Sequence, residues 1–371
     1  MCWPWRRLSR RPGRRTMFAD RLRRLRERMA AAGVPALLVT DAAGCFYLSG
    51  LTGGEGTVVV TREAGYLLVD PRITCQAREE VGHLEIKEFR GSLYGALEQL
   101  AAGAGITSLA FEAANLSVQQ ADRLKEKLPG ITCVPVPEIL AELRQVKEPE
   151  EIERIRRAAA ITDAAWDEIR PEIAPGLTEK EVAGWLEYAL RCHGADGYAF
   201  PTIVASGPRA AMAHGTAGER RLRPGDLVVV DMGAVYQGYC ADLTRTVVAG
   251  KPDARQREVY AAVKRSGETA LALAAPGVKT DFLEQVAREV LKEYGLEEYF
   301  GHRLGHGVGI SVHEGPSFSH EASVELVPGM VITIEPGVYI PDWGGVRIEN
   351  LVLVTASGSE VLSRAVEGWG E

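Results

Sequence analysis

Five residues whose side chains can bind a metal ion lie in or beside short apolar runs in the C-terminal part of this 371-residue chain. They are Asp231, Asp242, His306, Glu335 and Glu349. Two of the runs, residues 227–233 and 240–248, are separated by a turn sequence at 236–238, which predicts a hairpin. In this hairpin Asp231 would lie opposite Asp242, or one residue from opposite. The two carboxylates are therefore expected to lie close together.

A second predicted hairpin brings two glutamates together. It consists of residues 331–339 and 345–354, joined by the turn sequence PDWGG, and it places Glu335 close to Glu349. Like charges opposite each other in a strand ladder are destabilising, and a buried carboxylate without a partner costs considerably more. Two such pairs in otherwise apolar strands require a compensating cation, and a metal centre is the simplest one.

The predicted ligand set contains four carboxylates and one imidazole, with no thiolate. Such oxygen-rich sets suit Mn²⁺, Co²⁺, Fe²⁺ or Zn²⁺ and argue against a structural zinc site built from cysteines. Five ligands exceed the need of one ion and fit two ions about 3.5–4 Å apart, which hold a water or hydroxide as nucleophile and polarise a carbonyl oxygen. Calcium is disfavoured by the histidine and by the lack of an EF-hand-like loop. Hydrolysis is therefore the expected reaction class.

Histidines are concentrated in the same part of the chain. Five of the seven lie between 214 and 320. His302 and His306 flank a Leu-Gly pair, and His313 follows within a glycine-rich stretch that allows a substrate to approach closely. Any one of these histidines alone is better explained as a structural or surface residue, but together they indicate a site. His320 has no such neighbourhood and is expected on the surface.

The overall composition excludes several classes of protein. Hydrophobic residues make up 46% and charged residues 25% of the chain, which is ordinary for a soluble globular protein with two domains. The net charge of −7 provides no basic surface for nucleic acid. No apolar run approaches the roughly 18 residues of a membrane-spanning helix. The six cysteines are scattered without a CxxC pair, which is typical of a reducing compartment, so we expect a cytoplasmic protein.

The N-terminal part alternates between helix and strand and is predicted to be an α/β domain spanning 17–145. Helices are expected at 18–33, 91–105 and 117–128, a hairpin at 56–70, and further strands at 35–40, 108–112 and 131–136. Residues 1–16 contain six arginines and no acid. This basic segment is expected to be disordered, or to be an extension that precedes the true start at Met17.

The second predicted domain, residues 146–371, is α+β. A helix at about 149–169 is expected to bridge the two domains, and the next helix begins with a capping box at Thr178. Two more helices are predicted at 253–274 and 280–294, between the segments that contain the two hairpins. The five candidate ligands are therefore expected to converge on one sheet.

Six sequence motifs resemble those of a known family. They are FPTIVASG, AMAHGTAG, VVVDMGAVYQGYCADLTRT, GHRLGHGVGISVHEGP, ITIEPGVYI and GVRIEN. Their content and order are similar to the M24 pita-bread metallopeptidases, and within them to the Xaa-Pro aminopeptidase and Xaa-Pro dipeptidase (prolidase) branch. The match extends from about residue 145 to the C-terminus, and residues 17–145 resemble the creatinase-type domain of that branch. The implied fold is a creatinase-like α/β domain followed by an α+β pita-bread domain.

The resemblance implies a role for each ligand. Asp231 would chelate one ion, and His306 would bind the other. Asp242 and Glu349 would bridge the two ions, while Glu335 would bind the ion at His306 and act as general base towards the bridging water. The implied cofactor is a pair of divalent ions, with Mn²⁺ expected and Co²⁺, Zn²⁺ or Fe²⁺ as alternatives.

The resemblance also implies catalytic and substrate-binding residues around the metals. His214, His302 and His313 would line the substrate groove. His214 and His313 would take part in catalysis, and His313 would help to hold the tetrahedral intermediate. Arg347 and Tyr339 would contact the substrate at the rim of the same groove.

Two residues would support the ligands themselves. Arg347 would contact Asp231 or His313, and Thr244 would support Asp242. Such outer contacts orient metal ligands and adjust their basicity. The implied site therefore extends beyond the five ligands to the strands on both sides of them.

The leading hypothesis is a dinuclear metallopeptidase that cleaves proline-containing peptides between an N-terminal residue and proline, as a dipeptidase or as an aminopeptidase. A methionine aminopeptidase shares the five ligands but not the N-terminal domain. A creatinase-like amidinohydrolase shares both domains but not the ligands. A non-catalytic binding protein on the same fold would be expected to lose ligands, and none is lost. The resemblance also implies a homodimer, the commonest symmetric assembly.

Overall fold

A computed structural model describes residues 12–319 and 322–365 of the chain. The chain divides into two compact units, the first ending at Arg144 and the second beginning at Gln145. Within the described residues, no helix is both long and apolar enough to cross a lipid bilayer. The predicted surface position of His320 lies outside the described residues, as does the disorder predicted for residues 1–11.

The first unit consists of one sheet and the helices around it. Its strands are β1 (Ala36–Val39), β2 (Thr57–Thr61), β3 (Gly65–Val69), β4 (Glu85–Glu88), β5 (Ser108–Glu112) and β6 (Thr132–Val136). Its helices are α1 (Pro12–Ala31), α2 (Ala42–Ser49), α3 (Thr74–Glu80), α4 (Leu93–Ala104), α5 (Val118–Lys127) and α6 (Ile139–Gln145). The strand order is β4-β3-β2-β1-β5-β6, with antiparallel pairing only between β1, β2 and β3.

Most elements of the first unit agree with the prediction. The hairpin at 56–70 forms as β2 and β3, and α5 begins after a capping box at Ser117. Leu38, Val59 and Phe111 belong to the core that the sheet and its helices enclose. The elements α2, α3, α6 and β4 were not predicted, because each has eight residues or fewer and is too short for periodicity to reveal.

Helix α1 begins earlier than predicted. Its first residue is Pro12 rather than residue 18, so residues 12–16 of the basic segment are helical and not disordered as expected. Proline suits the first turn of a helix because it has no N–H group to leave unpaired there. Further along, Leu22, Leu25 and Met29 are buried on one face at spacings of three and four residues, which holds α1 against the unit.

The second unit contains the candidate site. Its helices are α7 (Pro149–Ile169), α8 (Glu179–Cys192), α9 (Ala254–Leu273) and α10 (Thr280–Glu293). Its strands up to α9 are β7 (Gly197–Tyr198), β8 (Ile203–Ser206), β9 (Leu227–Met232), β10 (Ala234–Tyr236), β11 (Tyr239–Cys240) and β12 (Leu243–Val248). After α10 follow β13 (His306–Gly307), β14 (Glu314–Ser319), β15 (Ala322–Ser323), β16 (Val331–Ile334), β17 (Gly337–Ile340), β18 (Gly344–Arg347), β19 (Asn350–Thr355) and β20 (Gly358–Val361).

The two predicted hairpins are present, but the strands of one hairpin do not share a sheet with the strands of the other. The orders are β11-β10-β7, β12-β9-β8, β15-β14-β13-β16-β19-β20 and β17-β18. The candidate ligands therefore come from two main sheets, and the expectation of a single sheet was wrong. The backbone N–H of Glu349 donates to the carbonyl of Thr244 at 3.1 Å, and this bond joins β12 to the start of β19.

The turn at Gln237-Gly238 has φ of 48° and 82°, as a two-residue hairpin turn requires.

Helices α7, α9 and α10 agree with the sequence in their bounds, but α7 differs in its role. It lies entirely within the second unit and packs on α8 and β10, so the expected bridge between domains was wrong. Helices α9 and α10 bury Val263, Leu283 and Leu291 in one core with Ile332 and Val352 of the long sheet. This packing covers one face of the strands that present the candidate ligands.

Candidate metal centre and active site

The two aspartates lie on the same face of the β9–β12 pair. Asp231 on β9 is the partner of Thr244 on β12, and Asp242 directly precedes β12, two positions from Thr244. The predicted register, opposite or one residue off, was therefore wrong by at least one residue. An offset of two keeps both side chains on one face because strand side chains alternate, whereas an offset of one would have separated them. Both aspartates are buried.

The two glutamates lie where the second hairpin changes from one sheet to another. Ile334 is the partner of Asn350, and the β16–β19 ladder ends at this pair. Glu335 and Glu349 occupy the next position beyond it, so the hairpin brings them close together as predicted. The backbone N–H of Glu335 donates to the carbonyl of Leu304 at 2.8 Å rather than across the hairpin. This break in the ladder turns both carboxylates towards the aspartates and the histidine.

His306 completes the cluster from β13. Its Nε2 lies 3.3 Å from Oε1 of Glu335 and 3.6 Å from Oδ2 of Asp242. One ligand atom from each of Asp242, His306 and Glu349 lies within 4.8 Å of the other two. A single ion could therefore contact all three side chains after small rotamer adjustments.

The electrostatics of the cluster fit a bound cation. Burial, with the neighbouring carboxylates, raises the pKa of Asp242 and of Glu349 well above the ordinary value. Burial raises the pKa of Glu335 to about 7, and burial together with His313 lowers that of His306 to about 4. Among the described residues, the buried Oδ1 of Asp231 and Oε1 of Glu349 have no hydrogen-bond partner.

The two buried oxygens without donors show whether the side chains present suit a metal ion. Buried polar atoms without partners are rare, and a buried carboxylate oxygen lacking a donor is destabilising. A divalent cation satisfies such oxygens and reverses the repulsion between the acids. Oxygen atoms with one neutral imidazole are ligands that Mn²⁺ and related ions accept. The residues present therefore fit a divalent metal centre.

Arg347 holds one side of the cluster. It is buried, and it donates to Oδ2 of Asp231 at 2.6 Å, to the hydroxyl of Tyr339 at 2.7 Å and to the carbonyl of Ala213 at 3.0 Å. The contact with Asp231 was one of the two predicted for this arginine. Its donors are thus largely committed to the protein. The side chain also lines the cavity described below.

Thr244 supports a different ligand from the one predicted. Its hydroxyl donates to Oε2 of Glu349 at 2.7 Å and accepts from Nε of Arg347 at 2.9 Å. The expected support of Asp242 was wrong, because the actual register places Thr244 opposite Asp231 and close to the start of β19. A chain of hydrogen bonds therefore runs from Arg347 through Thr244 to Glu349, which orients this carboxylate.

The ligand cluster opens into a cavity of about 510 Å³. His214, His302 and His313 line it, as the sequence predicted, together with Phe200 and Ile203. The side chain of His313 is exposed, and its ring centre lies 4.3 Å from that of His306 in an edge arrangement. A larger cavity of about 620 Å³ between β4 and α4 of the first unit is lined by exposed charges of both signs and no histidine.

Tyr339 contacts His302, one of the residues that line the cavity. The hydroxyl of Tyr339 lies 3.0 Å from Nε2 of His302, and Nδ1 of His302 lies 2.7 Å from the carbonyl of Arg303. Burial lowers the pKa of His302 to about 4 and raises that of Tyr339 to about 12, so both are neutral near pH 7. Tyr339 does not line the cavity. Its hydroxyl contacts Arg347 and His302, and its contact with substrate stays a prediction.

The loop that presents His313 is fixed by a buried ion pair that sequence reasoning missed. Nζ of Lys147 lies 3.0 Å from Oε1 of Glu314, and the exposed fractions of the two side chains are 1% and 9%. Oε2 of Glu314 accepts from the backbone N–H of Ser311 at 3.3 Å. The adjacency of Glu314 to His313 was a usable signal, but Lys147 gave none because it lies far away in the sequence.

Comparisons with known proteins identify the family of both domains. Residues 153–356 match the model of metallopeptidase family M24, and residues 21–146 match that of the creatinase/prolidase N-terminal domain. The chain is 38% identical over 348 residues to the Xaa-Pro dipeptidase of Pyrococcus horikoshii, covering 93% of this chain and 97% of the relative. These matches confirm the predicted order of a creatinase-like α/β domain and a pita-bread domain.

Solved structures are also similar. A Xaa-Pro dipeptidase from Bacillus anthracis superposes with a TM-score of 0.91 at 34% identity, covering 94% of this chain and 98% of that one. An X-Pro aminopeptidase from Thermotoga maritima superposes with a TM-score of 0.88 at 36% identity, with the same coverage of 94% and 98%. Both the dipeptidase and the aminopeptidase interpretations thus have a counterpart of the same architecture.

Proposed function

Because the chain belongs to metallopeptidase family M24, we propose that it hydrolyses the peptide bond between an N-terminal residue and a following proline with the help of two divalent metal ions. The observation that carries this proposal is the convergence of four carboxylates and His306 on one cavity, with buried oxygens of Asp231 and Glu349 left without donors. The names of the similar proteins, Xaa-Pro dipeptidase and X-Pro aminopeptidase, support the choice of substrate.

The proposed ligand set is the predicted one. Asp231 would hold one ion, His306 and Glu335 would hold the other, and Asp242 and Glu349 would be shared by both. The bound ions would supply a water of lowered pKa as nucleophile and would polarise the scissile carbonyl. Mn²⁺ is the proposed ion, because carboxylates dominate the set, with Co²⁺, Zn²⁺ and Fe²⁺ as alternatives.

Glu335 is the proposed general base. Its Oε1 accepts from the hydroxyl of Thr333 at 3.0 Å and lies 3.3 Å from Nε2 of His306, at the edge of the cavity. From this position the carboxylate can take a proton from the attacking water and return it to the leaving nitrogen of proline. That nitrogen must be protonated because a proline amide anion is a very poor leaving group.

The remaining predicted residues act on the substrate from the cavity wall. His313 is proposed to donate a hydrogen bond to the carbonyl oxygen as negative charge develops on it. His214 lies on the exposed segment after the 3₁₀ turn Gly207–Ala211 and is proposed to help position the substrate for catalysis. His302 is held by Tyr339, and Arg347 is held by Asp231, so these two shape the wall and orient the groups in front of it.

The proposal is tested by metal reconstitution with defined peptides. Protein stripped of metal and then loaded with Mn²⁺ should cleave Ala-Pro or Ala-Pro-Ala after the first residue, and it should leave Ala-Ala largely uncleaved. The Glu335→Gln variant should lose activity, because it lacks the proposed base and a proposed ligand, while Glu219→Gln, an exposed charge change, should retain it. Failure of metal to induce cleavage of either proline peptide would contradict the proposal, and preferential cleavage of a Met-Ala peptide would favour a methionine aminopeptidase.

The proposed assembly is a homodimer in the cytoplasm. No disulfide joins the five described cysteines, which is compatible with a reducing compartment. Light scattering of the metal-loaded protein should give about twice the mass of 40.2 kDa calculated for one chain. A mass of one chain at micromolar concentration would contradict the dimer but leave the proposed chemistry unaffected.

A further inference from the structure

The loop between β13 and β14 folds around the carboxylate of Glu314. The N–H of Ser311 donates to Oε2 of Glu314 at 3.3 Å, and the N–H of Gly309 donates to the carbonyl of Ser311 at 3.0 Å. A Cβ at Gly309 would collide with Oε1 of Glu314. Because glycine alone allows this close approach, the loop that leads to His313 is built around one carboxylate.

The same loop pairs with the strands that lead to two candidate metal ligands. Glu314 is the partner of Gly307 in the β13–β14 ladder, next to His306. The carbonyl of Gly309 accepts from the N–H of Cys240 at 2.8 Å, which ties the loop to the end of β11. Backbone pairing of this kind does not need the side chain of Glu314. The candidate ligands are therefore held independently of that carboxylate.

Lys147 holds the other side of the carboxylate and is itself fixed to the long sheet. Its Nζ lies 3.0 Å from Oε1 of Glu314 and donates to the carbonyl of Gln145 at 3.2 Å, and its side chain is 1% exposed. Its backbone N–H donates to the carbonyl of Gly329 at 2.9 Å. The N–H of Gly329 in turn donates to the carbonyl of Val354 on β19 at 2.9 Å. The sheet that leads to both candidate glutamate ligands therefore supports Lys147, and Lys147 supports the loop.

His313 depends on this support because its own side chain is exposed. Its ring meets that of His306 edge-on at 4.3 Å, and among the residues that the structure describes no hydrogen bond fixes the imidazole. The direction of the imidazole is thus set by a backbone that is joined directly to Glu314. A reacting group displaced by about 1 Å can cost about 100-fold in rate. A buried ion pair is a weak source of stability, since desolvation offsets its Coulomb energy, so the geometry that it imposes is the better reason for its presence.

We infer that Lys147 is a positioning residue of the active site: through its ion pair with Glu314 it holds His313 where the imidazole can donate to the developing oxyanion. The inference rests on the proposed function, because it explains how one group of that reaction is held in place. Lys147 does not line the cavity, so it acts through the loop and not on the substrate. Its loss should lower the rate of the chemical step and leave the binding of metal and substrate nearly unchanged.

The test is a double-mutant cycle with His313, using Mn²⁺-loaded protein and Ala-Pro as substrate. Lys147→Met should lower kcat about 10-fold or more while KM changes less than about threefold. In the His313→Ala background the same change should lower kcat by less than about twofold, because the group that Lys147 positions is already absent. Lys147→Arg keeps the charge and should retain more of kcat than Lys147→Met. The dissociation constant of Mn²⁺, measured by calorimetry, should stay within about threefold of wild type in these variants.

Two further variants separate positioning from stability. Lys147→Met leaves Glu314 buried without its partner, whereas the addition of Glu314→Gln removes both charges and keeps an acceptor for the N–H of Ser311. This double variant should unfold at a urea concentration closer to that of wild type, yet its kcat should stay as low as that of Lys147→Met. Lys180→Met breaks an exposed lysine–glutamate pair, with Glu219, and it should change neither kcat nor stability appreciably.

Three results would overturn the inference while cleavage by wild-type protein upheld the proposed function. They are an unchanged kcat in Lys147→Met, a full repetition of its effect in the His313→Ala background, and a wild-type kcat in the variant without both charges. If Lys147→Met does not fold, Lys147→Met with Glu314→Gln takes its place in the cycle. Absence of metal-dependent cleavage in wild-type protein would overturn both the inference and the proposed function.

Discussion

Two buried glutamates of the second unit have opposite surroundings. Glu179, the first residue of α8, has an exposed fraction of 0%, and it accepts from the N–H and hydroxyl of Ser206, from the N–H of Gly218 and from Arg209. Glu349 has an exposed fraction of 2%, and one of its oxygens accepts from Thr244 while the other has no partner. The first carboxylate is satisfied by the fold, and the second is not.

This difference separates a structural acid from a functional one. The donors around Glu179 come from the end of β8, from the 3₁₀ turn Gly207–Ala211 and from the loop at Gly218, so one carboxylate holds both ends of the segment that contains His214. The acids around Glu349 repel one another, and a bound cation would relieve this repulsion. Burial of a charge alone therefore does not identify a site; several buried acids that lack donors and face one cavity do.

The largest expected effect is at Glu179. Glu179→Gln should lower the free energy of unfolding by about 3–5 kcal/mol, because removing one partner leaves the other groups of a buried charged network uncompensated. The loss should be the same in metal-free and metal-loaded protein, as measured by urea unfolding. Glu219→Gln on the exposed surface is the matched control and should change stability little. If only the metal-loaded protein lost stability, Glu179 would belong with the proposed metal-binding acids, and the contrast with Glu349 would be wrong.

The buried acid Glu335 is expected to make the stability of the metal-free protein depend on pH. The folded pKa of Glu335 is about 7, against an ordinary value of 4.5, so metal-free folded protein binds more protons than the unfolded chain between these values. Its contribution to stability is therefore present at low pH and lost as pH rises through about 7. Relative to Glu335→Gln, metal-free wild-type protein should lose about 3 kcal/mol between about pH 4 and pH 8. Unfolding curves at several pH values measure this, and a difference independent of pH would contradict it.

Removal of Asp242, a proposed metal ligand, should abolish stabilisation by metal. Wild-type protein should gain about 2.7 kcal/mol when free Mn²⁺ is 100-fold above its dissociation constant. Asp242→Asn should lose most of this gain, and without metal it should be at least as stable as wild type because a like charge has been removed. Thermal unfolding with and without Mn²⁺ checks both statements. A metal-free Asp242→Asn protein much less stable than wild type would show that Asp242 behaves as Glu179 does.

The smallest effect is expected at the single hydrogen bond that Glu349 receives. Thr244→Val removes the hydroxyl and should cost about 1–2 kcal/mol in metal-free protein, because a buried acceptor loses its donor. Thr244→Ser keeps the hydroxyl and serves as the matched control. In metal-loaded protein the cost should be smaller, since the ions also hold the carboxylate. Equal costs in the two states, measured by urea unfolding, would argue against Glu349 as a ligand.

The sequence predicted the chemistry of the second unit better than its geometry. Hairpin signals and apolar runs were sufficient for β9, β12, β16 and β19, since turns and strand periodicity are local properties. The register was not predictable to one residue: a short hairpin, β10–β11, intervenes between β9 and β12, and it places Asp231 opposite Thr244 instead of Asp242. Because of the same shift, the hydroxyl of Thr244 donates to Glu349 rather than to Asp242, as had been predicted.

The burial of charged residues was the other failure of prediction. Glu179 follows a helix N-cap, where an acid is favoured by the helix dipole and is usually exposed. Its actual environment depends on Ser206, Arg209 and Gly218, which a separate strand, turn and loop bring to it. The pairing of Lys147 with Glu314 is of the same kind. Such contacts join residues distant in sequence, so no local pattern contains them.

The sequence by itself determined the identity of the five candidate ligands, the histidines near them and the order of the two domains, because residue type, spacing and motif order are properties of the chain. Only the tertiary structure decided that the ligands come from two sheets, that Arg347 is committed to Asp231 and that Lys147 is paired with Glu314. The physical reason is that a charge is satisfied or left over according to which donors surround it in space, and those donors come from every part of the fold.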